Sequence, residues 1–409
     1  MTSTLLDLPR IRYLIVVHEV YLRGSIGAAA RAVNLSQPAA TQSVSKVENT
    51  LNTQLFRRTS SGLVPTDEGA LFRNRLERIL SHLRRGERLA RARLGKSLTS
   101  QTRKVFHKDC SPVQLRSLLA VAESGSFSLA AQALGVSQPG IHRATRELAA
   151  LSGIQLFDQT RGGVILSPSA EAFAQQVRLA ISEFRQAKYE IDEVLGREAT
   201  RINVGSLPLS RASFLPEAID AMLAETGPRA QINCVDARYP ALLKDLQFGN
   251  LDVLIGALRF PKPAAEIEQE ELFVDELSVI VPPNHPLANQ TGVSLADTLR
   301  FPWIAPPKDT PSGTYLFDHL RIHDLPDTPV RVISSSLVLL KGLFAQGEYV
   351  SIASKRQIRA DEQSGHLVKL PIDLPGSKRA IGLTFRSGWR PTPIQERFLD
   401  ILRAKAKDA

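Results

Sequence analysis

The sequence predicts a multidomain chain in which two all-α-rich units, each ending in a short hairpin and a long helix, precede a larger α/β domain. Three observations predict it. Residues 24–95 align with 125–196 at an offset of 101, without a gap. Stretches running from Phe72 and from Phe173 keep apolar residues at alternating spacings of four and three. From residue 201 onward, short apolar strand-like runs alternate with segments of helical period. A length of 409 residues accommodates two to four domains, and an apolar content of 43% can supply their cores.

The first unit is expected over 1–95. Near its start, Leu14 to Val17 is a four-residue apolar block followed at once by His18 and Glu19. That is too short for a secretory signal, and no run reaches the ~20 apolar residues of a membrane span. No membrane partner is expected, and the expected compartment is the cytoplasm. Three short helices follow, with Ser25 and Ser36 as N-caps of the second and third. Pro38 falls in the first turn of the third helix, where a missing N–H costs nothing. Val44, Val47 and Leu51 turn inward, which leaves Gln37, Thr41, Gln42 and Ser45 on other faces. LFRRTSSGLVPT (55–66) reads as a hairpin around Gly62, and the long helix carries Phe72, Leu76, Ile79, Leu83, Gly86 and Ala90 in register.

A polar, basic linker is expected over 96–112. The second unit, 113–196, repeats the first where geometry is demanding: Gly24-Ser25 meets Gly125-Ser126, Ser36-Gln37-Pro38 meets Ser137-Gln138-Pro139, and Gln54-Leu55-Phe56 meets Gln155-Leu156-Phe157. Its long helix keeps Phe173, Val177, Ala180, Phe184, Ala187, Ile191 and Val194 in the same register. Such a seam predicts pairing with another helix, so Phe173, Val177, Phe184, Ile191 and Val194 are expected at an interface between copies in a homodimer or homotetramer.

The α/β domain is expected over 200–409, with RINVG, AQINCV, DVLIG, LSVIVP, VRVIS and AIGLTF as strands. Open α/β sheets bind ligands beyond the carboxyl ends of their strands. The expected pocket takes Ser206, Leu207, Pro208, Leu209 and Ser210 after the first strand, together with Tyr239, Thr310, Thr314, Ser334, Ser335 and Ser336. Crossings between lobes are expected near Val281 and Leu370. Cys234 reads as a buried, inert thiol within its strand. Neither it nor Cys110 belongs to a metal-spaced cluster, the histidines form no metal motif, and no cofactor is expected.

Charge is unevenly distributed. Residues 1–110 hold 19 Lys and Arg against 8 Asp and Glu, a net +11, whereas 111–199 hold 8 against 9 and 200–409 hold 24 against 24. A basic segment on a neutral body is the electrostatic footprint of a nucleic-acid binder.

AAARAVNLSQPAATQSVSKVENTLNTQLFRRTSSGLVPTDEG (28–69) resembles the DNA-binding domain of LysR-type transcriptional regulators. Residues 201–409, with GNLDVLIGA, NHPLA and PTPIQERFLDILR, resemble the effector domain of that family. The resemblance implies a winged helix-turn-helix in each repeat, a two-lobed effector domain like a type 2 periplasmic binding protein, and no enzymatic activity. Within the family, VGSLPLSRASFLPEAI, DVLIGALRFP and IGLTFRSGWRPTP resemble the galactose-binding-protein regulator subgroup, which implies a sugar effector. An organic acid suits the expected pocket chemistry equally. The duplication departs from the family pattern, as do Ala149 for Glu48, Gln159 for Arg58 and Ala170 for Gly69 in the second copy.

The expected function is a DNA-binding regulator whose promoter binding answers to a small molecule. Ser36, Gln37, Pro38, Thr41, Gln42 and Ser45 would meet double-stranded DNA in the major groove, while Arg57, Arg58 and Thr59 hold its backbone. Ser137, Gln138, His142, Arg143 and Arg146 would do so more weakly in the second copy. A solute-binding protein or enzyme built on the α/β domain is the alternative, although no catalytic cluster is recognisable. An architectural DNA-binding protein is a further one, for which an effector domain would have no purpose.

Overall fold

The computed structural model describes residues 8–60, 62–93, 105–197, 200–324 and 329–408. They fall into two compact units, Met1–Thr200 and Arg201–Ala409. The first begins with helices α1 (Ile11–Arg23), α2 (Ile26–Ala32) and α3 (Gln37–Leu51), strands β1 (Phe56–Thr59) and β2 (Gly62–Pro65), and the long α4 (Asp67–Ala92). The same order returns as α5 (Pro112–Ser124), α6 (Phe127–Leu134), α7 (Gln138–Ser152), β3 (Phe157–Thr160), β4 (Gly163–Leu166) and α8 (Pro168–Val194).

The residues shared by the two halves are those that seat the local structure. Ser25 and Ser36 accept the backbone N–H groups of Ala28 and Ala39, and Ser126 and Ser137 do the same for Leu129 and Gly140. Each hairpin docks on the turn after the first helix, through Leu63 N–H to the Gly24 carbonyl and Val164 N–H to the Gly125 carbonyl, both at 2.9 Å. Gly62 and Gly163 adopt φ of 123° and 129° there, and a Cβ would lie 2.8 and 2.4 Å from those carbonyl oxygens. Only glycine permits both the dihedral and the approach. Glu48, lost from the second half, accepts Leu55 N–H at 2.8 Å in the first. In the second half Ser152 accepts Ile154 N–H at 3.3 Å, so the loop keeps a local acceptor.

The two long helices pair with each other. Arg75 donates to Glu183 at 2.9 Å and to Glu190 at 2.5 Å, Arg78 donates to Glu183 at 2.6 Å, and His82 meets Gln176 at 2.9 Å. Farther along, Arg93 donates to the Pro168 carbonyl at 2.7 Å. Rising numbers on α4 thus meet falling numbers on α8, so the pair is antiparallel. Phe72 and Phe184 meet edge to face at 6.2 Å, and a Cβ on Gly86 would lie 2.9 Å from Gln176 Cβ. This corrects the interface expected between copies: Phe173, Val177, Phe184 and Ile191 are buried within one chain, in the same core as α4. Val194, at 60% exposure, stands outside the seam. The second half lay within covalent reach, so the heptad seam found its partner there. The two expected N-terminal domains consequently share one core.

Part of the expected linker is ordered against this pair. Phe106 packs on Phe173 with centroids 5.1 Å apart, His107 Nδ1 lies 2.5 Å from Glu87, and burial pushes the Cys110 thiol up to about 12. Linker residues 96–104 lie outside the described residues.

The second unit contains two five-stranded mixed sheets. Its elements are β5 (Thr200–Ser206), α9 (Pro208–Arg211), α10 (Phe214–Thr226), β6 (Ala230–Asp236), α11 (Tyr239–Gln247), β7 (Val253–Ala257), β8 (Ile267–Asp275), β9 (Leu277–Val281), α12 (Leu295–Thr298), β10 (Trp303–Ala305), α13 (Pro311–Thr314), β11 (Val330–Ile333), α14 (Leu337–Phe344), β12 (Val350–Ser354), α15 (Lys355–Gln363), β13 (Val368–Lys369), β14 (Arg379–Arg386) and α16 (Pro393–Asp408). One sheet has the order β6-β5-β7-β14-β8 and the other β11-β10-β12-β9-β13. The chain first crosses between them at Glu276, ahead of the expected Val281, because Val281 already pairs with Val368 inside the second sheet. It returns after Leu370, whose N–H still bonds the Val279 carbonyl, so the second expected crossing stands at the end of that sheet. Cys234 is exposed, contrary to expectation, because β6 is an edge strand.

The paired long helices generate a test. Burial alone would raise the Glu183 carboxyl, but the hydrogen bond and charge of Arg78, with the charge of Arg75, hold it below its ordinary value. A carboxylate held low stabilises the fold above its unfolded-state pKa, and the contribution is lost as pH falls through the folded value. The stability of the first unit should therefore decline on acidification below about 4.5. Urea titrations of Glu183→Gln should show a loss of about 1.5–3 kcal/mol near neutrality and a flatter decline into acid than the parent.

Candidate nucleic-acid interface and ligand cavity

In the first head, α3 buries Ala40, Ser43, Val44, Val47 and Leu51. Gln37, Thr41 and Ser45 form an exposed row at helical spacing, with Gln42 exposed beside it. Ser36 is occupied as the cap, and Pro38 presets the first turn. Thr41 donates its hydroxyl to the Gln37 carbonyl at 3.0 Å, which leaves its methyl outward. The amides of Gln37 and Gln42 can each form the paired donor–acceptor contact that an adenine edge requires. Arg57 and Arg58 project from β1 into solvent, while Thr59 donates to the Gly62 carbonyl at 3.0 Å and closes the hairpin. Thr59 is thus engaged structurally, whereas the two arginines are available to phosphates.

The second head presents a different surface on the same frame. Ser137 caps α7 and Gln138 is exposed. The ring of His142 stacks on Phe127 at 4.1 Å, so it is half-buried. Arg143 is tied to Glu147 at 2.8 Å, and its hydrogen bond holds that carboxyl below the ordinary range. Arg146 donates to the His142 carbonyl at 3.3 Å. On the hairpin, Asp158 and Gln159 stand where the first head has Arg57 and Arg58, and Asp158 accepts from Gln155 at 2.7 Å.

The second unit holds a cavity of about 710 Å³. Of the expected lining, Leu207, Pro208, Leu209, Tyr239, Thr310, Ser334, Ser335 and Ser336 face it. Ser206 and Ser210 do not, being fully buried at the end of β5 and in α9, where Ser210 donates to the Leu207 carbonyl at 2.8 Å. Thr314 is also outside the lining, because its hydroxyl donates to the Lys308 carbonyl at 3.0 Å.

What sequence reasoning missed is the charge. Arg211, Arg238, Arg259 and Arg379 line the cavity with Asp236 and Asp309. Arg211 pairs with Asp236, Arg238 lies 3.7 Å from Asp309, and Arg379 lies 3.2 Å from Asp275 while also donating to Ser312. Arg259 lies over the Tyr239 ring at 4.3 Å and donates to the Ala257 carbonyl at 3.3 Å, with no carboxylate partner among the described residues. Burial lowers its guanidinium from the ordinary value against the pull of Tyr239, and Arg379 adds to the lowering. The Tyr239 hydroxyl has no hydrogen-bond partner among the described residues. Arg211 and Arg259 follow the carboxyl ends of β5 and β7, a position the strand-end rule could have flagged. Nothing local marks Arg379. Among the described residues no acidic, His or Cys group could hold a metal ion, and no helix is long and apolar enough to cross a membrane.

Residues 195–407 match the LysR substrate binding domain, and residues 11–70 and 112–171 each match the bacterial regulatory helix-turn-helix protein of the lysR family. The HTH-type transcriptional regulator GalR of Pseudomonas putida is 27% identical over 400 residues, covering 97% of this chain and 96% of that protein. The HTH-type transcriptional regulator PcaQ of Agrobacterium fabrum is 28% identical over 280 residues, covering 68% and 89%. A full-length OxyR variant from Pseudomonas aeruginosa is a structural neighbour with a TM-score of 0.52 and 20% identity, covering 72% of this chain and 94% of that one, a likeness of fold.

Proposed function

The chain belongs to the LysR family of DNA-binding transcriptional regulators, and we propose that its promoter binding answers to a small anionic effector held at Arg259. We assign 1–95 and 113–196 as duplicated winged helix-turn-helix units with their linker helices, and 200–409 as the effector-binding domain. The site of action is then the cytoplasm, where the DNA lies. The observation that carries the effector class is the half-buried Arg259, which has no carboxylate partner among the described residues while its neighbours Arg211, Arg238 and Arg379 have theirs. A buried guanidinium is strongly stabilised by a bidentate carboxylate, and an organic acid would supply one. A neutral sugar, implied by the subgroup resemblance, could use the Ser334, Ser335 and Ser336 hydroxyls but would leave Arg259 uncompensated. Calorimetry against panels of organic acids and sugars discriminates the two. Arg259→Gln should weaken binding of an organic acid about 10- to 100-fold, the loss of a charge-assisted hydrogen-bonded pair. Binding of sugars alone, unchanged in Arg259→Gln, would reject the assignment.

On the DNA side, Gln37, Thr41 and Gln42 read base edges, Ser36, Pro38 and Ser45 shape the approach of α3, and Arg57 and Arg58 hold phosphates. Gln138, Arg143 and Arg146 act in the second head with less electrostatic help, since Arg143 is engaged by Glu147 and Asp158 opposes a phosphate. Salt titrations should therefore separate the heads. Arg57→Ala with Arg58→Ala should reduce the slope of log affinity against log salt by about two units. Arg143→Ala with Arg146→Ala should reduce it by less. Equal losses would make the second head a full electrostatic partner.

A further inference from the structure

This inference rests on the reading of both heads as DNA binders. The α4 and α8 helices occupy equivalent positions in the repeat, and a polar contact between them returns with its partners exchanged. The repeat offset carries Arg75 to Gln176 and Glu183 back to His82, and those two mates are themselves hydrogen-bonded at 2.9 Å. The same exchange turns the Phe72–Phe184 contact into Phe173 with Leu83, residues of one buried cluster. Equivalent helices paired antiparallel with mated contacts are related by a local twofold axis, here close to the buried Ile79 and Ala180. That axis sends the two heads to opposite ends of the pair. A 26-residue helix spans about 39 Å, and successive half-sites on one face of B-DNA recur every ~34–36 Å.

The seam has also diverged so that each helix prefers the other to a copy of itself. Two α4 helices in this register would place Arg75 against His82 and Leu89, burying a guanidinium with no carboxylate. Two α8 helices would place Gln176 against Glu183 and Glu190, burying two carboxylates with no guanidinium. They would also set Ala187 at the position of Gly86, where a Cβ meets Gln176 Cβ at 2.9 Å. Unpaired buried charge and close contact both penalise the wrong pairings. Net charge points the same way. The α4 helix carries seven arginines against four acids, and α8 carries five acids against three bases.

We infer that a single chain is a complete two-headed DNA reader: α4 and α8 of one chain do the work of a pair of chains, and the preferred operator is two unlike half-sites about one helical turn apart. One half-site is read by α3 through Gln37 and Gln42, the other by α7 through Gln138 and Arg146. Because the two surfaces differ, a palindrome of either half-site should bind worse than the unlike pair.

Two measurements on the full chain test this. In a Cys110→Ala, Cys234→Ser background, Gly86→Cys with Gln176→Cys places two thiols where Cβ atoms already approach. Oxidation should give a disulfide-containing product of single-chain mass on a denaturing gel, with DNA affinity within about twofold of the reduced form. A disulfide-linked product of two-chain mass, or DNA binding lost on oxidation and restored by reduction, would overturn the inference. The second measurement uses the unaltered protein, so it stands if the cysteine variant fails to fold. Native mass of the complex with footprinted DNA should give one chain for every two half-sites, even if chains associate further through the second unit. One chain for every single half-site would also overturn it. Absence of DNA binding by the unaltered protein would instead reject the prior reading of the heads.

Discussion

The organisation of the N-terminal half depends on one buried cation. Arg75 lies in the apolar seam between α4 and α8, its side chain only 4% exposed, and its guanidinium is answered by Glu183 and Glu190 from the other helix. Burial alone would lower its pKa, yet the two carboxylates from α8 raise it above the ordinary value. A charge in such a place tolerates one register, because sliding or replacing the partner helix strands it without a counter-charge. The apolar seam supplies the attraction between the helices, through Phe72, Leu76, Ile79 and Leu83 against Phe173, Val177, Ala180 and Phe184. The ion pairs select which pairing that attraction serves.

From that constraint the two heads inherit fixed positions on a common core. Their frames are alike because the same few residues seat them: a serine cap before each second and third helix, and a glycine pair where each hairpin meets its helical turn. Their surfaces are free to differ because surface residues do not seat the frame. Arg57 and Arg58 give way to Asp158 and Gln159 with no change in hairpin register. Stacking of His142 on Phe127 likewise alters what α7 can offer without altering α7.

The second unit obeys a comparable logic around its cavity. Arg379 lines the cavity and pairs with Asp275, the last residue of β8 before the chain crosses between sheets. Ser354 donates to the same carboxylate at 2.7 Å. The cavity wall and the crossing are therefore built from one polar cluster, whereas Arg259, just past the carboxyl end of the neighbouring β7, has an aromatic face for support. Charge in the cavity is balanced at the crossing and left unbalanced at Arg259.

The sequence by itself determined the repeat, its caps and hairpins, the α/β character of 200–409 and the exposed row of α3, because these depend on local spacing and on residues such as Gly62 and Ser36 whose roles are set within a few positions. It also favoured pairing of the long helices, since a sustained four-three spacing at the end of each unit suits a helical partner along its length. The identity of the partner was not legible: a heptad seam specifies a complementary face, and only the folded chain decides whether that face belongs to another copy or to residues about a hundred positions away. The cavity divides in the same way. Leu207, Tyr239 and Ser334 follow from strand-end placement, whereas Arg379 comes from a distant strand and Ser206 turns into the core. Arg211 and Arg259 lie within reach of the same strand-end rule, but which arginines meet a carboxylate was decided by tertiary structure, because the pairs Arg238–Asp309 and Arg379–Asp275 join residues far apart in sequence and leave no spacing signal.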